Sequence, residues 1–128
     1  MNTIRDLAQR VAGGDGLPVA LGDFLDAFYR QPAPVLLAEE PEILRGRVKD
    51  GEIFDAYLAA IAERLARQSG FDVPSWVFGG ARHLHRPVFG TESAVMRATL
   101  LLESPPEFRS RNIFVTANVL DRASRHAA

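Results

Sequence analysis

Nineteen residues, Gly51 to Ser69, constrain this 128-residue chain more than any other stretch. Asp50 stands where an N-cap belongs, Glu52 lies in the first turn where the helix dipole favours a carboxylate, and Arg64 and Arg67 lie toward the other end. Ile53, Phe54, Tyr57, Leu58, Ile61, Ala62 and Leu65 recur at helical spacing, and Gly70 supplies the stop, with Phe71 placed to fold back on Leu65 or Ala66. At about 1.5 Å per residue such a helix runs roughly 28 Å, enough to cross a domain of this length as its packing strut. The spacing therefore predicts an all-α domain over 1–128, a compact bundle of about six helices, two of them short, arranged around 51–69.

The segments on either side fit that frame. Thr3 reads as an N-cap for Ile4, Leu7, Ala8 and Val11, and Gly13 as the left-handed stop. Leu21, Phe24, Leu25 and Phe28 mark a second helix ending near Arg30. Gly13-Gly-Asp-Gly16 has neither the flanking elements nor the lysine of a phosphate cradle. The connector is long for a helix-turn-helix, and Asp23 and Asp26 fall on the would-be recognition helix, where phosphate would repel them. Pro32, Pro34 and Pro41 confine 31–50 to single turns, expected at 35–38 and 41–45.

Downstream, Thr91 is the expected cap of a helix carrying Val95, Met96, Leu100, Leu101 and Leu102, whose near-continuous apolar character predicts burial of Met96 and the leucines. Ser104, Pro105 and Glu107 then have the order of a capping box, which would start a short helix and set Phe108 into the core. Ile113-Phe-Val115 is β-branched and aromatic but too short to sustain a sheet alone. A last helical turn is expected from Asn118 or Asp121.

Zero cysteines exclude a disulfide framework and thiolate metal sites; with no signal-peptide pattern at the start, the expected compartment is the cytosol. Apolar runs such as 98–102 fall far short of the roughly 20 residues that span a bilayer, so no membrane is expected. A net charge of −1 speaks against a generic nucleic-acid binder. It divides unevenly: residues 1–63 hold 6 basic and 11 acidic side chains, residues 64–128 hold 9 and 5. The basic second half keeps a nucleic-acid-binding accessory role as an alternative.

Residues with chemical potential are few. His83-Leu-His85 would share a face if extended, which suits a metal and suggests a small metal-dependent hydrolase as another alternative, but two ligands do not make a site. No serine has a nucleophile-elbow setting, and no catalytic residue or cofactor is predicted. Arg109 and Arg111 would share a face in an extended segment and clamp a partner's carboxylate or phosphate; alternatively they pair with Glu103, Glu107 or helix-end carbonyls. Trp76 reads either as a ligand platform or as a lid on the core.

Four stretches together, 55–66, Val73-Pro-Ser-Trp76, Arg86-Pro-Val-Phe89 and 103–115, resemble the C-terminal region of small bacterial proteins of uncharacterised activity. In many of those an XRE-type helix-turn-helix domain comes first, and some pair with a nucleotidyltransferase-like protein. The resemblance covers 50–123 and implies a non-enzymatic interaction or regulatory module, possible in a toxin/antitoxin-like system, with a protein partner or self-association. The first 50 residues depart from the pattern in having no such DNA-binding domain.

Overall fold

Helix formation follows local signals at some ends and tertiary contacts at others in the computed structural model, which describes residues 2–122. Helix α1, Ile4–Ala12, starts with a capping box in which the Thr3 hydroxyl accepts from the Asp6 amide and the Asp6 carboxylate accepts from the Thr3 amide, both at 3.1 Å. Gly13 is right-handed; the positive φ of 108° belongs to Gly14. Helix α2, Leu17–Arg30, begins four residues earlier than Leu21, because Pro18 is tolerated in the first turn. A single turn, α3, covers Val35–Ala38.

No helical turn forms at 41–45. The amides of Leu44 and Arg45 instead donate to the Asp55 carboxylate at 2.7 and 3.1 Å, a partner 10 or 11 residues away that local pattern does not reveal.

Helix α4, Gly51–Ser69, has the predicted bounds, but Asp50 does not cap it with its side chain. Asp50 takes a left-handed φ of 59°, which turns the chain from the 41–45 segment into the helix. Gly51 is required there, since a Cβ would lie 2.1 Å from the Leu44 carbonyl oxygen. The other end is a Schellman stop: Phe71 N–H reaches the Ala66 carbonyl at 2.8 Å, Gly70 N–H reaches Arg67 at 3.3 Å, and Gly70 has φ 74°. The Phe71 ring meets Phe28 edge-on at 6.5 Å, joining that end of α4 to α2.

After 3-10 turns at Ser75–Phe78 and Gly80–Arg82, β1 (Val88–Phe89) leads to α5, Ala94–Glu103. Then come α6, Pro106–Arg109, and β2, Ile113–Phe114. The two strands run parallel, with Val88 opposite Ile113 and Phe89 opposite Phe114, and the two rings stack 5.0 Å apart. The 113–115 segment is thus extended, and β1 gives it a partner. The described residues form six α-helices, α3 and α6 of four residues each, and one two-stranded sheet: an all-α bundle. No helix among them is long and apolar enough to cross a membrane.

Thr91 does not cap α5; Ser93 does, accepting from the Met96 amide at 3.3 Å. Ser104 does not cap α6 either. Its buried hydroxyl accepts from the Val115 amide at 2.9 Å and faces the carbonyls of Leu100 at 2.6 Å and Val115 at 2.9 Å. It ties the end of α5 to the end of β2, while Pro105 occupies the cap position of α6. Residues 117–120 form a turn rather than a helix, held by a bond from the Tyr29 hydroxyl to the Leu120 carbonyl at 2.8 Å. Arg122 then grips Asp26 through two bonds of 2.9 and 3.1 Å, strapping this segment to α2. The remainder of the expected last turn lies outside the described residues.

One cluster of buried residues, from Ile4 and Phe28 through the inner face of α4 to Phe108 and Ile113, forms the core. Phe108 is fully buried and meets Tyr57 edge-on at 5.2 Å. Phe108→Ala is expected to cost about 3–5 kcal/mol as a large core truncation, measured by denaturant unfolding. Burial also pushes the Tyr57 phenol from 10.0 up to about 12. The fold holds the neutral phenol, so this stability is complete below the unfolded value near pH 10 and is lost as the pH rises toward 12. At roughly 1.4 kcal/mol per pKa unit the loss is about 2–3 kcal/mol. Tyr57→Phe should remove that part of the alkaline slope in urea titrations at several pH values.

Candidate functional site

Two acidic side chains on α4 lie inside the protein, and each holds a buried arginine. Asp55 has its carboxylate 3.7 Å from the Arg82 guanidinium, which also donates to the Pro41 carbonyl at 2.6 Å and to Glu40 at 3.0 Å. Two turns along, Glu63 accepts from Arg111 at 2.6 Å, and Arg111 further donates to the carbonyls of Glu107 at 2.7 Å and Val77 at 2.9 Å. Buried Glu107 faces Arg64 and Arg67 on α4, at 3.3 and 3.5 Å. In both Arg82 and Arg111 the Nε has no partner among the described residues, so these guanidiniums are held through their terminal nitrogens. Sequence reasoning singled out neither Asp55, Glu63 nor Arg82; the available signal was a pair of acids embedded in the apolar side of α4.

The predicted partner-facing residues separate. Arg111 is 1% exposed and committed to Glu63 and two backbone carbonyls, so its guanidinium does not reach the surface. Arg109, on α6, is exposed, and its side chain makes no hydrogen bond or ion pair among the described residues. In the helical and turn geometry of 106–112 the two side chains diverge and do not form a clamp. Half-buried Trp76 donates its indole N–H to the Leu37 carbonyl at 3.0 Å and has Arg82 stacked 4.9 Å from its ring centroid. It closes one end of the core, with one ring face already covered.

His83 is extended and its Nδ1 lies 3.3 Å from the Gly79 carbonyl. His83 and His85 line one cleft of about 320 Å³ beside the first turn of α4. No third His, Asp or Glu completes a metal-holding group with them among the described residues.

The largest departure from expectation is α5. Leu100 alone is buried; Val95 is 78% exposed, Leu102 85%, and Met96 and Leu101 are also out in solvent. Four of the eight exposed large apolar side chains of the described residues thus sit on this one ten-residue helix. At 100° per residue, Ala94, Val95, Ala98, Leu101 and Leu102 form a stripe roughly 120° wide on the side opposite Leu100. Apolar composition predicted a contact for this face; the described residues do not supply it.

Comparison with protein-family models, with curated proteins and with solved structures finds no match to this chain. The physical roles of the two arginines are separable by mutation. Arg111→Ala should cost about 3–5 kcal/mol, since it leaves Glu63 buried without its counter-charge. Arg109→Ala should change stability by no more than about 0.5 kcal/mol. Paired urea unfolding curves check both.

Proposed function

We propose that the protein is a non-enzymatic interaction or regulatory module that docks onto a partner protein through α5. The observation carrying this reading is the solvent-facing stripe of Val95, Ala98, Leu101 and Leu102. Contiguous apolar surface on a small protein is a recurrent mark of a protein interface, and a helix presenting it suits recognition by a groove. The resemblance of 50–123 to bacterial proteins that pair with a nucleotidyltransferase-like protein suggests that partner, in a toxin/antitoxin-like arrangement in the cytosol. Exposed Arg109 lies on α6, which follows α5 after two residues, and supplies a charge for the rim of such an interface.

Co-expression with the product of the neighbouring reading frame tests the proposal. A tagged wild-type chain is expected to bring the partner through affinity and size-exclusion steps, and the double variant Val95→Glu, Leu102→Glu to lose it by at least about a hundredfold in affinity, as for a central apolar anchor. Both side chains point to solvent, so the variant should unfold at the wild-type denaturant midpoint. Undiminished binding by the variant would remove α5 as the docking element. Self-association abolished by the same two changes, with no complex formed, would replace the heterologous partner by a second copy of the chain.

A further inference from the structure

We propose that the cleft beside the first turn of α4 is a binding site for a small amphipathic anion, an aliphatic body carrying a carboxylate or phosphate head. It is a separate site from the α5 stripe and does not depend on it. The cleft, about 320 Å³, lies at the lower end of small-molecule sites, roughly 300–1,000 Å³. Its apolar lining is aliphatic: Ile53 from α4, Leu84, and Val88 from β1, all half-buried. Exposed Arg45, His85 and Arg86 and half-buried His83 line the same cleft.

The guanidiniums of Arg45 and Arg86 are uncommitted, as are those of Arg30 and Arg109, but Arg45 and Arg86 line one cleft together. Eight arginines (5, 10, 47, 64, 67, 82, 111 and 122) form ion pairs within the chain. The side chains of Arg45 and Arg86 form no hydrogen bond or ion pair among the described residues, although Glu52 lines the same cleft. Two guanidiniums with free donors beside an aliphatic surface match a ligand whose head accepts charge-assisted, bidentate bonds and whose body excludes water from them. No Phe, Tyr or Trp is in the lining, and the apolar surface offered by Ile53, Leu84 and Val88 suits an aliphatic body.

The backbone around both cations is already anchored. The Arg45 amide donates to Asp55 at 3.1 Å, and Arg86 stands two residues before Val88, whose amide donates to the Asn112 carbonyl at 2.8 Å. Asn112 takes a left-handed φ of 65° and sends its side-chain amide to the Leu84 carbonyl at 2.7 Å, fixing the cleft wall to the chain just before β2. The site is therefore largely pre-formed, which lowers the ordering cost of binding.

Octanoate, octyl phosphate and 1-octanol, titrated into the full-length protein and followed by amide chemical shifts, form a matched probe set. At least one of the two anions is expected to shift Ile53, Ala81, Leu84 and Val88 saturably, at least about tenfold more tightly than 1-octanol, the margin that charge-assisted bonds provide. The tighter anion identifies the head group. Arg45→Gln with Arg86→Gln should retain the wild-type melting temperature and erase the preference for anion over alcohol, while Arg109→Gln, outside the cleft lining, should leave it intact. Equal binding of all three probes, shifts centred elsewhere, or an anion preference surviving the double substitution would each overturn the proposal.

Discussion

The structure depends on two carboxylates that α4 keeps away from water. Asp55 and Glu63 cannot be buried as charges without counter-ions, and Arg82 and Arg111 supply them from segments distant in sequence. Each guanidinium has donors to spare after its carboxylate is served, and these go to carbonyls of Pro41, Val77 and Glu107. Non-helical backbone before α4, after it and around α6 is thereby held against one helix by directional bonds. Apolar packing alone is indifferent to small slides of such segments; a guanidinium reaching a carboxylate and a carbonyl together is not.

That commitment of charge explains the surface that remains. Glu107, read in sequence as half of a capping box, is drawn inward by Arg64 and Arg67, and Ser104, read as the other half, is spent on joining α5 to β2. The short helix α6 consequently starts at Pro106 without side-chain help and depends on Phe108 and Arg111 for its position. Acidic and basic side chains elsewhere meet in exposed pairs, Arg5 with Glu39 and Arg47 with Glu42 among them. Exposed pairs of that kind contribute little to stability, which leaves the buried pairs and the core to define the arrangement.

Much of this fold was legible. Thr3, Gly70 and the apolar stripe of α4 act locally, through a hydroxyl, a left-handed turn and a 3.6-residue period, and each appears where those local rules place it. Three of the misses share a cause. The missing turn at 41–45 is decided by Asp55, the fate of Ser104 by Val115, and the opposite environments of Arg109 and Arg111 by Glu63, all partners 10 or more residues away. Periodicity likewise identified α5 as a helix and read its apolar residues as core. A repeat of apolar residues states that a face prefers to be covered; it carries no information on whether the cover belongs to the same chain.

The consequence for α5 is energetic as well as topological. A ten-residue helix is shorter than the roughly 12–15 residues at which isolated helices become even marginal in water. Its order must therefore come from its attachments, chief among them the Ser93 cap at one end, buried Leu100, and the Ser104 knot at the other, with Arg97 over the Phe89 ring and Glu103 accepting from the Ala117 amide. All of these lie off the outward stripe. The helix is thus held in shape by one set of residues while a different set is displayed, so a partner of the kind proposed would meet a pre-formed face and would not have to order it. If α5 docks as proposed, the stability of the helix and the affinity of its surface are carried by different side chains, and each can change without the other.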